Sequence, residues 1–120
     1  MIHNKIIAVD YDGTCTTKND FPNVGEIRDG LKYCVDRLKE NGNILILWTC
    51  RHDEKLEEAK NHLIENGIEF DYYNENPSFL IEKYGDCRKM GADFFIDDKN
   101  LFCNEINWFD IFRYFDSIED

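Results

Sequence analysis

Basic residues are scarce in this chain. Its 120 residues hold 14 Lys and Arg against 25 Asp and Glu, a formal net charge of −11. A nucleic-acid-binding surface needs a basic face, and anionic membranes attract basic segments, so the acidic balance argues against both as partners. It leaves a phosphorylated substrate open, because local charge or a bound metal overrides the global field. A C-x-x-C pair is also lacking. The five cysteines, Cys15, Cys34, Cys50, Cys87 and Cys103, are odd in number and scattered. That disfavours a disulfide framework or a structural zinc site and fits a reducing cytosol; their simplest role is as small buried hydrophobes. Long apolar runs are missing too. After Met1-Ile2-His3-Asn4-Lys5 only a few apolar residues precede Asp10, too few for a signal peptide or a membrane span. The expectation is a soluble, cytoplasmic protein with no membrane partner. No internal repeat, linker or low-complexity segment occurs.

What is present suffices for a core. Hydrophobic residues make up 42%, which places the chain among globular proteins, and its length suits one domain spanning residues 1–120. Ile6 to Val9 is a short continuous apolar run, the pattern of a strand buried on both faces, so strand one is placed at Lys5 to Val9. The segment Cys15 to Asn23 is polar and reads as a short loop or hairpin. From Val24 the period changes: Val24, Ile27, Leu31, Cys34, Val35 and Leu38 share a helical face, with Asn23 as the expected N-cap and Gly42 as the stop. Ile44 to Trp48 reads as a second buried strand. A second helix follows, capped by Asp53 and closed by Gly67, with Leu56, Ala59, Leu63 and Ile64 inward. Ile68 to Tyr72 reads as a third strand and Tyr73 to Pro77 as a loop. Ser78 to Gly91 is ambiguous, with a helical turn at Phe79 to Ile81. Ala92 to Asp98 is a further apolar run ending in carboxylates, and Asn107 to Ile118 carries Trp108, Phe109, Ile111, Phe112, Phe115 and Ile118 at helical spacing. The order β-α-β-α-β-loop-β-α implies a parallel sheet joined by right-handed crossovers: an α/β, three-layer, doubly wound fold.

Three of these strands end in polar residues: Asp10 and Asp12 after the first, Thr49 and Arg51 after the second, Asp97 and Asp98 after the late one. Parallel strands point the same way, so these groups converge on one edge, the edge where open α/β sheets bind ligands. Asp and Gly are also ordinary turn residues, and a solvated Asp-rich turn is the plainer reading of Asp10 to Thr14 taken alone. For a carboxylate to approach a phosphate, charge repulsion has to be met: two like charges about 4 Å apart repel by roughly 4 kcal/mol at an effective dielectric near 20. Mg²⁺ takes oxygen ligands octahedrally and bridges carboxylates to phosphate oxygens. Asp10, Asp97 and Asp98 supply such oxygens, and no His/Cys cluster competes for zinc. A lysine further neutralises developing charge, and Lys89 is the best placed by sequence.

Asp10-Tyr11-Asp12-Gly13-Thr14 after a buried strand, Thr49 ending the next, Lys89 upstream of the late strand, and Ile96-Asp97-Asp98 ending it resemble, in order, the four motifs of the haloacid dehalogenase (HAD) superfamily. The resemblance spans roughly Lys5 to Asn100. It implies a Mg²⁺-dependent phosphatase on a Rossmann-like core. Asp10 is then the nucleophile that forms an aspartyl-phosphate. Asp12 is the acid for the leaving group and the base for water, its backbone carbonyl facing the metal. Thr49 hydrogen-bonds the transferring phosphoryl group and Lys89 holds that group with the nucleophile. The metal ligands are Asp10, Asp12, Asp97 and Asp98. Because an alkoxide needs a proton to leave and a halide does not, Asp12 favours phosphoryl transfer over dehalogenation.

Two departures from the family pattern stand. Lys89 lies in Asp86-Cys87-Arg88-Lys89-Met90-Gly91 without clear helical context, so Arg88 or Lys83 is an alternative. The two late aspartates are adjacent, which leaves open whether Asp97 or Asp98 touches the metal. The short spans between motifs imply no large cap domain and therefore an open site. Such a site accepts a bulky substrate or is covered by a neighbouring subunit in a homo-oligomer. Gly13 keeps the turn beside the phosphate free of side-chain bulk. Thr14, Cys50, Arg51 and Asn100 are expected at the substrate, with His52, Asn74 and Asn76 as further candidates, the last two better suited to shaping a loop. A small phosphorylated molecule is the expected substrate. A phosphoacceptor signalling domain and a non-catalytic HAD-like binding module are the alternatives to catalysis.

Overall fold

In the computed structural model, which describes residues 1–103 and 105–119, the apolar runs and amphipathic segments alternate as strands and helices. The elements are β1 (Ile6–Val9), α1 (Leu31–Glu40), β2 (Ile44–Leu47), α2 (Asp53–Glu65), β3 (Tyr72–Tyr73), α3 (Ser78–Tyr84), β4 (Phe94–Ile96) and α4 (Trp108–Ser117). The strands form one parallel sheet in the order β3-β2-β1-β4. The chain runs outward from β1 to β2 and β3, then returns to the far side of β1. Right-handed crossovers put the outward and returning helices on opposite faces. The result is the expected three-layer, doubly wound, Rossmann-like α/β architecture without a cap domain. Among the described residues, no helix is long and apolar enough to cross a membrane.

Strand alternation divides the core. Ile7, Val9, Leu45 and Leu47 point to one face. There they meet Leu31, Cys34, Val35 and Leu38 of α1, Ala59 and Leu63 of α2, and Trp108 and Phe115 of α4. Ile6, Ala8, Ile44 and Ile46 point to the other, where Met90, Ala92 and Tyr72 cover them. This second layer is thin: α3 buries none of its side chains, and Trp48 and Phe95 stay partly exposed.

Several boundaries differ from the sequence expectation for identifiable reasons. The first helix begins at Leu31 and not near Val24. Gly30 stands in the left-handed region at φ 85°, and Ile27 is held in an antiparallel bridge to Thr16. Val24 and Ile27 still pack on the core, so their spacing reported burial and not helix. Asn23 is consequently no N-cap. His52, not Asp53, holds the cap position of α2, in extended conformation and without a side-chain cap bond; Ile64 of that helix is exposed. Ile68 and Phe70 are buried but precede the short strand at Tyr72–Tyr73. Asp71 bridges to β2 instead, its N–H donating to Leu45 O and its Oδ2 accepting from Leu45 N, both at 2.8 Å. The ambiguous Ser78–Gly91 stretch contains α3. The last helix starts as expected, with Asn107 Oδ1 accepting from the N–H groups of Phe109 and Asp110 at 3.1 Å, an N-cap of the usual kind.

Candidate functional site

The register levels the strand ends. Val9 lies opposite Leu47 on one side and Ile96 on the other. Asp10, Thr49 and Asp97 therefore leave the same edge of the sheet. Asp10, Asp97 and Asp98 converge there, each offering a carboxylate oxygen, all within 4.8 Å of one another. Thr14 braces them: its fully buried hydroxyl donates to Asp10 Oδ2 at 3.0 Å and accepts from Asp98 N at 2.9 Å, with Asp98 Oδ1 at 3.4 Å. Thr14 O in turn accepts from Trp108 Nε1 at 3.0 Å, so α4 supports the loop from behind. Thr14 thus faces the carboxylates and not a substrate.

The crowding has an electrostatic consequence. The Asp10 carboxyl is pushed up from its ordinary 3.8 to about 7, chiefly by burial and then by the negative charge of Asp97. Asp98 adds to the rise, while hydrogen bonds from Thr14 and the Tyr11 backbone oppose it. A half-buried cluster of three carboxylates offers oxygen donors alone, the set a hard divalent cation takes. Asp12 is not in the cluster. Both of its carboxylate oxygens receive the Arg51 fork, Nε to Oδ2 and Nη2 to Oδ1, each at 2.8 Å.

Gly13 closes the turn at φ +84°, and a Cβ there would lie 2.4 Å from Asp98 Oδ2. A side chain would have to displace Asp98 from Thr14, besides the roughly 1–2 kcal/mol cost of a left-handed residue. Gly13→Ala is therefore expected to lower stability by at least about 1–2 kcal/mol and to weaken any divalent-cation response that depends on Asp98. Paired thermal melts with and without the cation check both effects.

A cavity of about 220 Å³ opens beside the carboxylates. Asp10, Asp12, Thr49, Cys50 and Arg51 line it, as the sequence led one to expect, together with Asn19, Phe21 and Lys99, which it did not. Thr49 Oγ1 accepts from Arg51 N at 3.2 Å, and a hydroxyl that accepts keeps its one proton to give. Asn74, at φ 56°, staples this turn: its Oδ1 accepts from Thr49 N and its Nδ2 donates to Arg51 O, both at 2.8 Å.

Arg51 and the other expected residues are engaged differently or fall elsewhere. Arg51 reaches Asp12 before any substrate and is 2% exposed. Lys89 is exposed on the loop after α3 and is not among the residues lining this cavity; Lys99 is. The loop is pinned by Asn76, which donates to Cys87 O at 3.1 Å and accepts from Gly91 N at 2.7 Å, and Met90 takes the inward position. Arg88 lines a separate depression with Trp48 and Asn74. Asn100 is exposed and donates to Phe95 O at 3.5 Å, and His52 is an exposed partner of Asp53. Of the residues missed, Lys99 had a signal in its position directly after Asp97-Asp98. Phe21 had a weaker one, an aromatic in an otherwise polar loop.

The fold and this acidic strand-end site define a capless, Rossmann-like α/β protein. Comparison with known proteins finds no matching family model and no matching curated protein. Among solved structures, the chain is similar to a conserved protein coded by a locus from Bacteroides thetaiotaomicron, with 31% identity and a TM-score of 0.86 over 98% of this chain and 94% of that one. The chain belongs to the family of that conserved Bacteroides protein.

Proposed function

We propose that the protein is a phosphomonoester hydrolase that works through Asp10 and requires a divalent cation, Mg²⁺ by its all-oxygen donor set. The observation that carries this is the convergence of Asp10, Asp97 and Asp98 within 4.8 Å, beside a cavity that also holds Asp12, Thr49 and Lys99. The resemblance of Asp10-Tyr11-Asp12-Gly13-Thr14, Thr49 and Asp97-Asp98, in that order, to motifs of the HAD superfamily supports the same reading. Asp10, Asp97 and Asp98 would hold the cation, whose positive charge offsets repulsion between the carboxylates and a phosphate.

The chain's own groups divide the remaining work. An Asp10 oxygen attacks phosphorus while the bond to the leaving oxygen breaks, and Asp12, with substrate bound and one carboxyl oxygen turned off the Arg51 fork to carry a proton, gives that proton to the leaving oxygen. Water then attacks the phosphorus of the aspartyl-phosphate, Asp12 takes the water's proton, and the bond to Asp10 breaks to return the carboxylate and inorganic phosphate. Thr49 donates its free hydroxyl proton to a phosphoryl oxygen. Lys99 supplies at the cavity the neutralising charge expected of Lys89. The Arg51 fork fixes the direction in which Asp12 faces.

Release of inorganic phosphate from an aryl phosphate, with Mg²⁺ and with a chelator, tests this. Turnover that vanishes in chelator and returns on adding Mg²⁺ is the expected result. Equal rates in both would remove the cation from the proposal. A phosphoenzyme that accumulates without turnover would point to a phosphoacceptor instead.

A further inference from the structure

The segment joining β1 to α1 is shaped as a closed loop. Thr16 bridges Ile27, and Thr17 N donates to Glu26 O at 2.8 Å. Near the tip, Asn19 Oδ1 accepts from Phe21 N at 3.1 Å. The tip lies over Arg51: the Phe21 ring centroid is 5.1 Å from the guanidinium carbon, and the Tyr11 ring is 5.0 Å from it. Arg51 also donates to the carbonyl of Asn23 at 2.6 Å and to that of Pro22 at 3.5 Å. Phe21 is therefore positioned by a buried cation, a cation–π arrangement. Even so the residue remains 56% exposed and lines the same cavity as Asp10 and Asp12. The site thus presents a fixed, open aromatic surface beside the proposed nucleophile.

We propose that Phe21 is a specificity-determining residue that stacks on a flat ring in the substrate's leaving group. The proposal rests on the phosphomonoesterase reading and adds the substrate class: a small monoester with one phosphate and a single uncharged aromatic or heteroaromatic ring. Two observations narrow the class. The Arg51 fork is occupied by Asp12, so it is not available to a second anionic group. The cavity of about 220 Å³ is below the range usual for drug-sized ligands, which suits one ring and not an extended chain.

Benzyl phosphate and cyclohexylmethyl phosphate test this. Both release a primary alkoxide, and they differ in the flatness of the ring. With Mg²⁺ present, kcat/KM for the wild type is expected to favour benzyl phosphate by about two- to tenfold, the size of an aromatic pair. The preference should fall to near one in Phe21→Leu, chiefly through KM, and persist in Phe21→Trp. Phe21→Leu keeps an apolar cover on Arg51, so folding and stacking are read separately. A wild-type ratio near one, or a ratio that survives in Phe21→Leu, overturns the proposal. Binding of benzylphosphonate and cyclohexylmethylphosphonate, measured by calorimetry, reads the same preference without turnover. A ring preference in binding with no hydrolysis of either ester would retain the Phe21 subsite and reject the hydrolase reading; no preference in binding would reject the subsite itself.

Discussion

Asp10→Asn is expected to abolish phosphate release, by at least about a thousandfold as for other enzymes that lose their nucleophile, while making the metal-free protein more stable above neutral pH. The two effects have one cause. The folded protein holds the Asp10 proton to about pH 7, against an ordinary value of 3.8. A carboxyl raised in this way contributes proton-linked stability that is complete below its unfolded pKa and is lost as pH rises through the folded one. In chelator at pH 8 the wild type therefore carries a half-buried negative charge facing Asp97 and Asp98, which Asn does not. The variant should gain on the order of 2–4 kcal/mol there, and the two stability curves should meet near pH 4. Denaturant unfolding across pH 4–8, beside the phosphate assay, checks both. A variant that keeps a tenth of the activity would exclude Asp10 as nucleophile. A variant less stable than the wild type at pH 8 would show that the hydrogen bond Asp10 accepts from Thr14 outweighs the cost of its charge at this position.

The sequence was most legible where one physical cause set the pattern. Burial on both faces made β1 and β2 continuous apolar runs, and parallel topology then carried Asp10, Thr49, Asp97 and Asp98 to one edge. It was least legible where two causes give the same pattern. Val24 and Ile27 are spaced like a helical face but are buried from an irregular loop, because Gly30 at positive φ sets the start of α1. Ile68 and Phe70 are buried like strand residues yet precede the strand. At the site, carboxylates could be assigned from their place after strands. Long side chains could not: Lys99 directly follows the acidic pair and Lys89 precedes it on the loop after α3, and it is the course of that loop that keeps Lys89 from the cavity. Arg51 was legible as a strand-end cation. That its partner is Asp12 depends on a contact across 39 positions that no local spacing reports.

That contact carries the other large expected effect. Arg51→Met should destabilise the protein by about 3–5 kcal/mol, the usual cost of removing one partner from a buried ion pair. For a chain of this size that is a fall in melting temperature of roughly 10–25 °C. The arginine side chain is 1% exposed and that of Asp12 13%, so the carboxylate left behind is mostly shielded from water. The carbonyl of Asn23 loses its 2.6 Å donor as well. Arg51→Lys keeps the charge but not the planar fork, and a point charge cannot serve Oδ1 and Oδ2 of Asp12 while also reaching Asn23 O; its stability should fall between wild type and Arg51→Met. Turnover in Arg51→Lys should fall as well, because a carboxylate held by one donor is free to turn away from the leaving group. Asp12→Asn combined with Arg51→Met should recover part of the loss, since the unpaired charge is then gone, and the difference between double and single variants measures the coupling. Buried pairs are screened little by salt, so the loss should persist at high ionic strength. A loss under 1 kcal/mol, or one that added salt removes, would place the pair at the surface in energetic terms and take from Arg51 its role in fixing Asp12.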